Sequence, residues 1–201
     1  MLLRIVLLCV LLLLMAACTS WQGRGGVPAL APPDPDLPWR LTGRMTLGDG
    51  RETWHLGVDW LQHGEYYQLL LLTAPLGRKV AEARGDLRRM ELALPDQPAP
   101  LLGEPEQVLQ QYLGWPLPLA ELRYWLRGLP APGSEAAGLA RDPSGRVIHF
   151  VQRGWSADYR WPAGAAVPDR LFLQSGPLQM RLVVDRWDAA PELLEVTDGA
   201  Q

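Results

Sequence analysis

The stretch that decides the fold is residues 69–80, which read LLLLTAPLGRKV. It opens with an apolar run, and such a run is typical of a strand that is covered on both faces. A turn follows at residues 74–77, after which the chain runs back as a second strand. Turns normally carry polar residues because they lie in water, so Leu76 between Pro75 and Gly77 is out of place. It either packs inward or meets an apolar partner.

Alternating apolar and polar residues predict further strands on both sides of this stretch. Short turns join the strands of the first half, which predicts an antiparallel meander. The predicted strands are residues 39–47, 54–60, 66–73, 79–84, 89–94, 147–152, 156–161, 170–174 and 178–187.

The middle of the chain changes to helical spacing. Pro105 suits a first helical turn and Gly114 suits a helix end, which predicts a helix between them. A second short helix fits residues 118–127. Neither helix is long enough to be stable alone, so both must dock on the sheet. The predicted fold is mostly β (α+β), with a single curved antiparallel sheet that two short helices close on one side to form a container.

The first residues predict export and a lipid anchor. A charged start, an apolar run and Ala16-Ala17 form a signal peptide over residues 1–17. Cys18 directly follows and resembles the cysteine of a bacterial lipobox, although Met15 stands where leucine is usual. Cleavage between Ala17 and Cys18 would leave an N-acyl, S-diacylglycerol cysteine. Thr19 follows it, where inner-membrane retention commonly has aspartate, so the resemblance implies the outer membrane.

The remaining boundaries follow from composition. Residues 18–38 are rich in glycine and proline and predict a flexible tether between the lipidated cysteine and a domain. The domain covers residues 39–190, and residues 191–201 form a weakly patterned tail. The only other cysteine, Cys9, lies in the signal peptide, so the mature chain has no cysteine pair for a disulfide.

Composition argues against several classes of function. The formal net charge is −3, which offers no basic footprint for nucleic acid. The histidines His55, His63 and His149 are scattered and match no metal or triad spacing, so we expect no metal site, no cofactor and no enzyme. A glycosidase with two paired acids stays as a weak alternative, because pairs formed in space are invisible in sequence.

Several segments together resemble the LolB family. They occur in the family's order from about residue 39 to residue 187, after the lipobox. The segments are WRLTGR (39–44), the aromatic strand ending at Trp60, LLLTAPLG (70–77), GWPLPL (114–119) with WLRGLP (125–130), QRGW (152–155) and LVVDRW (182–187).

This resemblance implies a lipid-anchored receptor on the periplasmic side of the bacterial outer membrane. It implies a partner, the periplasmic carrier LolA, from which the receptor accepts lipoproteins and passes them into the membrane. It also implies an unclosed β-barrel lidded by helices around an apolar cavity for acyl chains, in a monomer. Leu76, in the turn with Pro75 and Gly77, matches the exposed leucine that relatives need for membrane insertion.

Two alternatives remain open from the residues themselves. The aromatic residues Trp54, Trp60, Tyr67 and Trp125 either line the cavity or form an ordinary packed core. A structural envelope lipoprotein, whose Leu76 turn docks another protein, is the alternative to a receptor.

Overall fold

The computed structural model describes Asp34, residues 37–73 and residues 77–189. This part of the chain forms eleven strands and two short helices. The strands are β1 (Trp39–Gly48), β2 (Thr53–His63), β3 (Tyr66–Thr73), β4 (Lys79–Gly85), β5 (Met90–Ala93), β6 (Leu101–Gly103), β7 (Ala137–Arg141), β8 (Val147–Gln152), β9 (Trp155–Arg160), β10 (Arg170–Ser175) and β11 (Leu178–Ala189). The helices, between β6 and β7, are α1 (Pro105–Leu113) and α2 (Leu119–Trp125).

All eleven strands belong to one antiparallel sheet with the order β6-β5-β4-β3-β2-β1-β11-β10-β9-β8-β7. The first and last strands of the chain pair with each other in the middle of this order. Strands β6 and β7 are its two edges, and they do not pair with each other, so the barrel stays unclosed. The predicted fold class is confirmed: one large antiparallel sheet with two short helices.

The two edge strands were not predicted. Strand β6 has only three residues, too few for an alternating pattern to be recognised, and most of β7 is exposed. Natural sheets often keep their edge strands short or polar, which protects the unpaired edge from pairing with other chains. The sequences of β6 and β7 therefore show no alternation from which a strand could be predicted. Residues 130–138, which overlap the start of β7, have the glycine and proline content of a loop.

Alternation along the strands separates an apolar inner face from a polar outer face. In β1 the inner side chains of Leu41 and Leu47 are fully buried. On the outer face Arg40 pairs with Asp59 of β2, and Arg44 pairs with Asp185 of β11. Alternating strands with one buried face fix the register, since a slip of one residue would move every apolar side chain into water.

The helices lie where their sequence signals predict. Pro105 occupies the first turn of α1, and the N–H of Gly114 caps its other end by bonding the carbonyl of Gln110 at 2.9 Å. Gly114 adopts a left-handed φ of 85°, which glycine accepts without strain. Both helices place their apolar residues on the inner face of the sheet, where Leu109 and Leu122 are buried.

The strand directions place the two ends of the sheet far apart. Strand β1 runs from Trp39, next to Ala189, to Gly48, next to Gln179. Thr73 and Gly77, which flank the turn of the opening stretch, lie at the Gly48 end, because Thr73 pairs with Leu56 and Leu56 with Met45. The chain therefore enters the sheet at the opposite end from this turn, and Thr73 lies about 20 Å from Trp39 along the strands at the usual rise per residue.

Candidate functional site

An apolar cavity of about 40 Å³ lies between the inner face of the sheet and the two helices. No polar surface lines it. The sheet supplies Leu41, Met45, Val58, Trp60, Leu69, Leu71, Met180 and Leu182, and the helical segment supplies Leu109, Leu113, Leu117, Leu119, Leu122 and Leu126.

Cross-strand pairing builds the sheet wall. Leu41, Trp60 and Leu69 are direct neighbours on β1, β2 and β3, so their side chains form one row across the inner face. Val58 and Leu71 form a pair in the next row. Side chains opposite each other on neighbouring strands are about 5 Å apart, so such rows make a continuous apolar surface.

Helical spacing builds the opposite wall. Leu109 and Leu113 are four residues apart on α1, and Leu119, Leu122 and Leu126 continue the same spacing through α2. Residues three or four apart share one face of a helix, so the leucines of each helix lie on one face, and in both helices that face lines the cavity. Branched aliphatic side chains on both walls suit an aliphatic ligand, because nothing in the cavity can bond a polar group.

Polar contacts fasten α2 to the rest of the molecule at both sides. Trp125 Nε1 donates to Gln152 Oε1 of β8 at 2.8 Å. Arg123 donates to the carbonyl of Gly64, in the turn between β2 and β3, at 2.9 Å. Arg153, beyond β8, forms an ion pair with Glu121.

Helix α1 is held differently. Its only ion pair within the described residues is between Glu106 and Arg153, whose atoms are 3.7 Å apart. Its other contacts with the sheet are apolar, including an edge-to-face contact between Tyr112 and Trp54 with ring centroids 5.7 Å apart. Helix α1 is thus the less tightly fastened wall of the cavity.

The structure places the four aromatic residues predicted for the cavity in different surroundings. Trp60 is a lining residue. Trp54 contacts α1 through Tyr112, and Trp125 is fully buried beneath α2 against Phe150 and Trp155. Tyr67 is buried one row beyond Leu69, at the end of the sheet where the chain enters. Burial raises the pKa of its phenol, with Asp86 adding to the shift, so the ring stays neutral.

Buried glutamines were not predicted from the sequence. Gln62 accepts a hydrogen bond from Trp60 Nε1 at 2.9 Å and donates to the Gly64 carbonyl at 2.8 Å. The Gly64 carbonyl also accepts a hydrogen bond from Arg123, so the turn between β2 and β3 joins the cavity wall to α2. The available signal was a polar residue at an inward position of an alternating strand, where an apolar one is the rule.

The turn predicted for membrane insertion lies only partly within the described residues. Gly77 has a left-handed φ of 63°, and its N–H bonds the Thr73 carbonyl at 2.8 Å. The N–H of Thr73 bonds the Arg78 carbonyl at 2.8 Å, which closes the hairpin. Pro75 and Leu76 lie outside the described residues, as do Ala17 and Cys18.

The described residues contain neither a cluster of metal-binding side chains nor a membrane-spanning helix. No group of three or more histidine, cysteine, aspartate or glutamate side chains there is placed to hold a metal ion. No helix in residues 37–73 or 77–189 has the length and apolar character to cross a membrane.

Comparison with known proteins gives one consistent family. Residues 37–187 match the family described as "Outer membrane lipoprotein LolB". The chain is 37% identical over 152 residues to the outer-membrane lipoprotein LolB of Nitrosococcus oceani, covering 74% of this chain and 75% of that protein. It is 34% identical over 185 residues to the outer-membrane lipoprotein LolB of Thiobacillus denitrificans, covering 89% and 98%.

A solved LolA superfamily protein from Nitrosomonas europaea has a TM-score of 0.47 and 10% identity, covering 79% of this chain and 89% of that one. A likeness at that TM-score supports no conclusion about this chain.

Proposed function

The chain belongs to the family of the outer-membrane lipoprotein LolB, and from this membership we propose that it is a lipoprotein receptor of the outer membrane. In this proposal it takes lipoproteins from the periplasmic carrier LolA and holds their acyl chains between sheet and helices. It then inserts them into the inner leaflet of the outer membrane. The step is a transfer between binding sites, without catalysis.

The observation that carries this proposal is the wholly apolar lining of the cavity. Each methylene group kept out of water is worth ~0.8 kcal/mol, so an acyl chain exposed in the periplasm would be strongly disfavoured. A receptor cavity that binds the chains better than the carrier does by ~1.4 kcal/mol would bias the transfer tenfold. No other source of energy is needed for this step.

The size of the cavity implies that it opens when a chain enters. Its 40 Å³ is well below the ~300–1,000 Å³ of typical ligand pockets, so the two walls must separate to admit an acyl chain. Helix α1 meets the sheet mostly through apolar contacts, whereas polar contacts hold α2 at Gln152 and Gly64. We therefore assign the opening movement to α1, because an acyl chain can replace apolar contacts without leaving polar groups unpaired.

The proposed anchor and the proposed insertion turn are compatible with the distance between the ends of the sheet. Cys18 would carry the lipid, and the segment from there to Trp39 spans at most ~70 Å when extended. Strand β1, with 10 residues, covers only about 30 Å. The tether is thus long enough for the turn at Pro75-Leu76-Gly77 to reach the membrane that holds the anchor.

Depletion of the protein tests the receptor function. We expect outer-membrane lipoproteins to accumulate in the periplasm, bound to their carrier, and the measurement is their distribution among cell fractions. Normal localisation in depleted cells would reject the receptor and favour a structural envelope lipoprotein.

A second experiment tests the turn. We expect Leu76→Glu to accept lipoproteins from the carrier but to release few of them into liposomes, because a carboxylate resists entry into the apolar layer. Leu102→Glu, at an exposed leucine of β6, is the matched control because it makes the same substitution away from the turn. Equal release by Leu76→Glu and the unchanged protein would show that the leucine has no part in insertion.

A further inference from the structure

Three arginines and one aromatic ring lie close together on the outer face of the sheet, away from the cavity. Arg160 of β9, Arg170 of β10 and Arg181 of β11 line an open depression of about 410 Å³ together with Phe172. All three arginines are exposed, whereas Phe172 is half-buried. We call this group the arginine site.

The strand register forces these charges together. Arg170 is directly opposite Arg160, and Arg181 is directly opposite Phe172. The Arg181 guanidinium carbon lies 5.2 Å from the centre of the Phe172 ring. Like charges at directly opposite positions destabilise a sheet, so the pair of Arg160 and Arg170 costs stability unless something neutralises it.

No ion pair in the described part of the chain neutralises these arginines. Arg160, Arg170 and Arg181 have no ion-pair partner among these residues, unlike their neighbours on the same face. Arg44 pairs with Asp185, and Arg186 pairs with Asp188.

One carboxylate borders the site without neutralising it. Asp158 is directly opposite Phe172 and also opposite His149. Its Oδ1 lies 2.8 Å from His149 Nδ1, so this oxygen already has a hydrogen-bond partner. Asp158 supplies one negative charge against three guanidinium groups, so the site keeps a local excess of two positive charges on a chain whose net charge is −3.

We propose that the arginine site binds the phosphate of a membrane phospholipid headgroup. The planar fork of a guanidinium matches phosphate oxygens, and several forks around one depression can share a single phosphate. Phe172 supplies an aromatic surface beside the cations, a combination suited to the boundary between lipid headgroups and water. Lipid, and not an acidic protein, is favoured because the proposed anchor holds a bilayer permanently within reach of the domain, and on this point the inference rests on the proposed function.

Binding of two lipids that differ only in the headgroup tests the proposal. The lipidated full chain is kept in detergent micelles and titrated with phosphatidylglycerol and with diacylglycerol that carry the same fluorescent acyl chains. The diacylglycerol has no phosphate, so any binding of acyl chains in the cavity affects both lipids equally.

We expect Arg160→Gln with Arg170→Gln to weaken phosphatidylglycerol binding by about fivefold per arginine, without changing diacylglycerol binding. Arg44→Gln is the matched control, because it removes an outer-face arginine that is already paired, and its affinity should stay unchanged. The double variant should unfold at the same or a higher temperature, since it removes two opposed like charges.

Three results would overturn the inference. The first is equal phosphatidylglycerol affinity in the double variant and the unchanged protein. The second is displacement of phosphatidylglycerol by inorganic phosphate at comparable concentration, which would indicate a site for free anions. The third is unchanged lipid affinity together with lost capture of the periplasmic carrier, which would identify an acidic protein as the occupant. Failure of diacylglycerol to bind would count against the proposed cavity function alone.

Discussion

Gln152 shows how one buried polar residue organises its surroundings. Its side-chain oxygen accepts from Trp125 Nε1 at 2.8 Å and from the N–H of Ala131 at 2.9 Å. Its nitrogen donates to the carbonyls of Ala131 and Ser134, each at 2.8 Å. All four bonds of the amide are made, and they join β8 to α2 and to the loop that follows it. The residue stabilises the position of α2 because any displacement would leave buried polar groups unpaired.

The carboxyl of Glu82 makes the stability of the fold depend on pH. Burial by itself would raise the pKa of this outer-face carboxyl, but hydrogen bonds from Lys79, Arg84 and Gln68 outweigh burial and lower the pKa to about 2. A lowered pKa in the folded state adds stability above the unfolded value of 4.5, and this stability is lost as the pH falls toward 2. The contribution at neutral pH is about 2 kcal/mol, since Lys79 and Arg84 are more than half exposed and water screens them.

We therefore expect Glu82→Gln to lower the free energy of unfolding at neutral pH and to lose this difference as the pH approaches 2. Chemical denaturation over a pH series measures it. Glu65→Gln, at an exposed turn, is the control and should follow the unchanged protein throughout. A constant difference between Glu82→Gln and the unchanged protein at every pH would contradict the interpretation.

Among the elements, β1 depends on a close approach that only glycine permits. The pairing of β1 with β11 shifts register between Thr42 and Gly43. A Cβ atom added at Gly43 would lie 2.4 Å from the carbonyl oxygen of Val183, a contact that neither backbone can avoid without moving. This geometry gives a physical reason for glycine in the WRLTGR segment.

Gly43→Ala should lower the free energy of unfolding by about 1–3 kcal/mol, because the added methyl group forces apart the central pair of strands. Thr42→Ala, at the neighbouring position, introduces no such contact and should have a smaller effect. Thermal unfolding of both variants measures the difference. Equal stability of Gly43→Ala and the unchanged protein would mean that the strands separate locally at no cost.

At the scale of the whole molecule, the unclosed barrel and its helices enclose one cavity. A larger side chain on the cavity wall should reduce its volume. Val58 is buried at the middle of β2 and lines the cavity. We expect Val58→Phe to fold and to bind a fluorescent fatty acid about tenfold more weakly, because the ring occupies space that the acyl chain needs. Val151→Phe makes the same substitution on an exposed surface and should bind normally. Unchanged affinity in Val58→Phe would place the acyl chain elsewhere.

Features of the fold that depend on residues close in sequence could be predicted, whereas features that depend on tertiary packing could not. Strand alternation in β1, β2 and β11 and the proline and glycine signals of α1 were visible in the sequence, because each depends on neighbours a few residues away. Edge strands β6 and β7 lacked any periodic signal. The choice among Trp54, Trp60, Tyr67 and Trp125 also needed the structure, since all four occupy inward positions and differ only in what packs over them.

By itself, the sequence determined the antiparallel β class, the two short helices and the family, since local periodicity and ordered motifs carry that information. Only the tertiary structure decided that the leucines of α1 and α2 meet Leu41, Val58 and Leu69 around a cavity. Only the tertiary structure shows that Trp39, where the chain enters the sheet, and the turn after Thr73 lie at opposite ends of the sheet. Strand pairing also brings Arg160, Arg170 and Arg181 together. The physical reason is that strand pairing joins residues distant in the chain, and pairing depends on the register of the entire sheet.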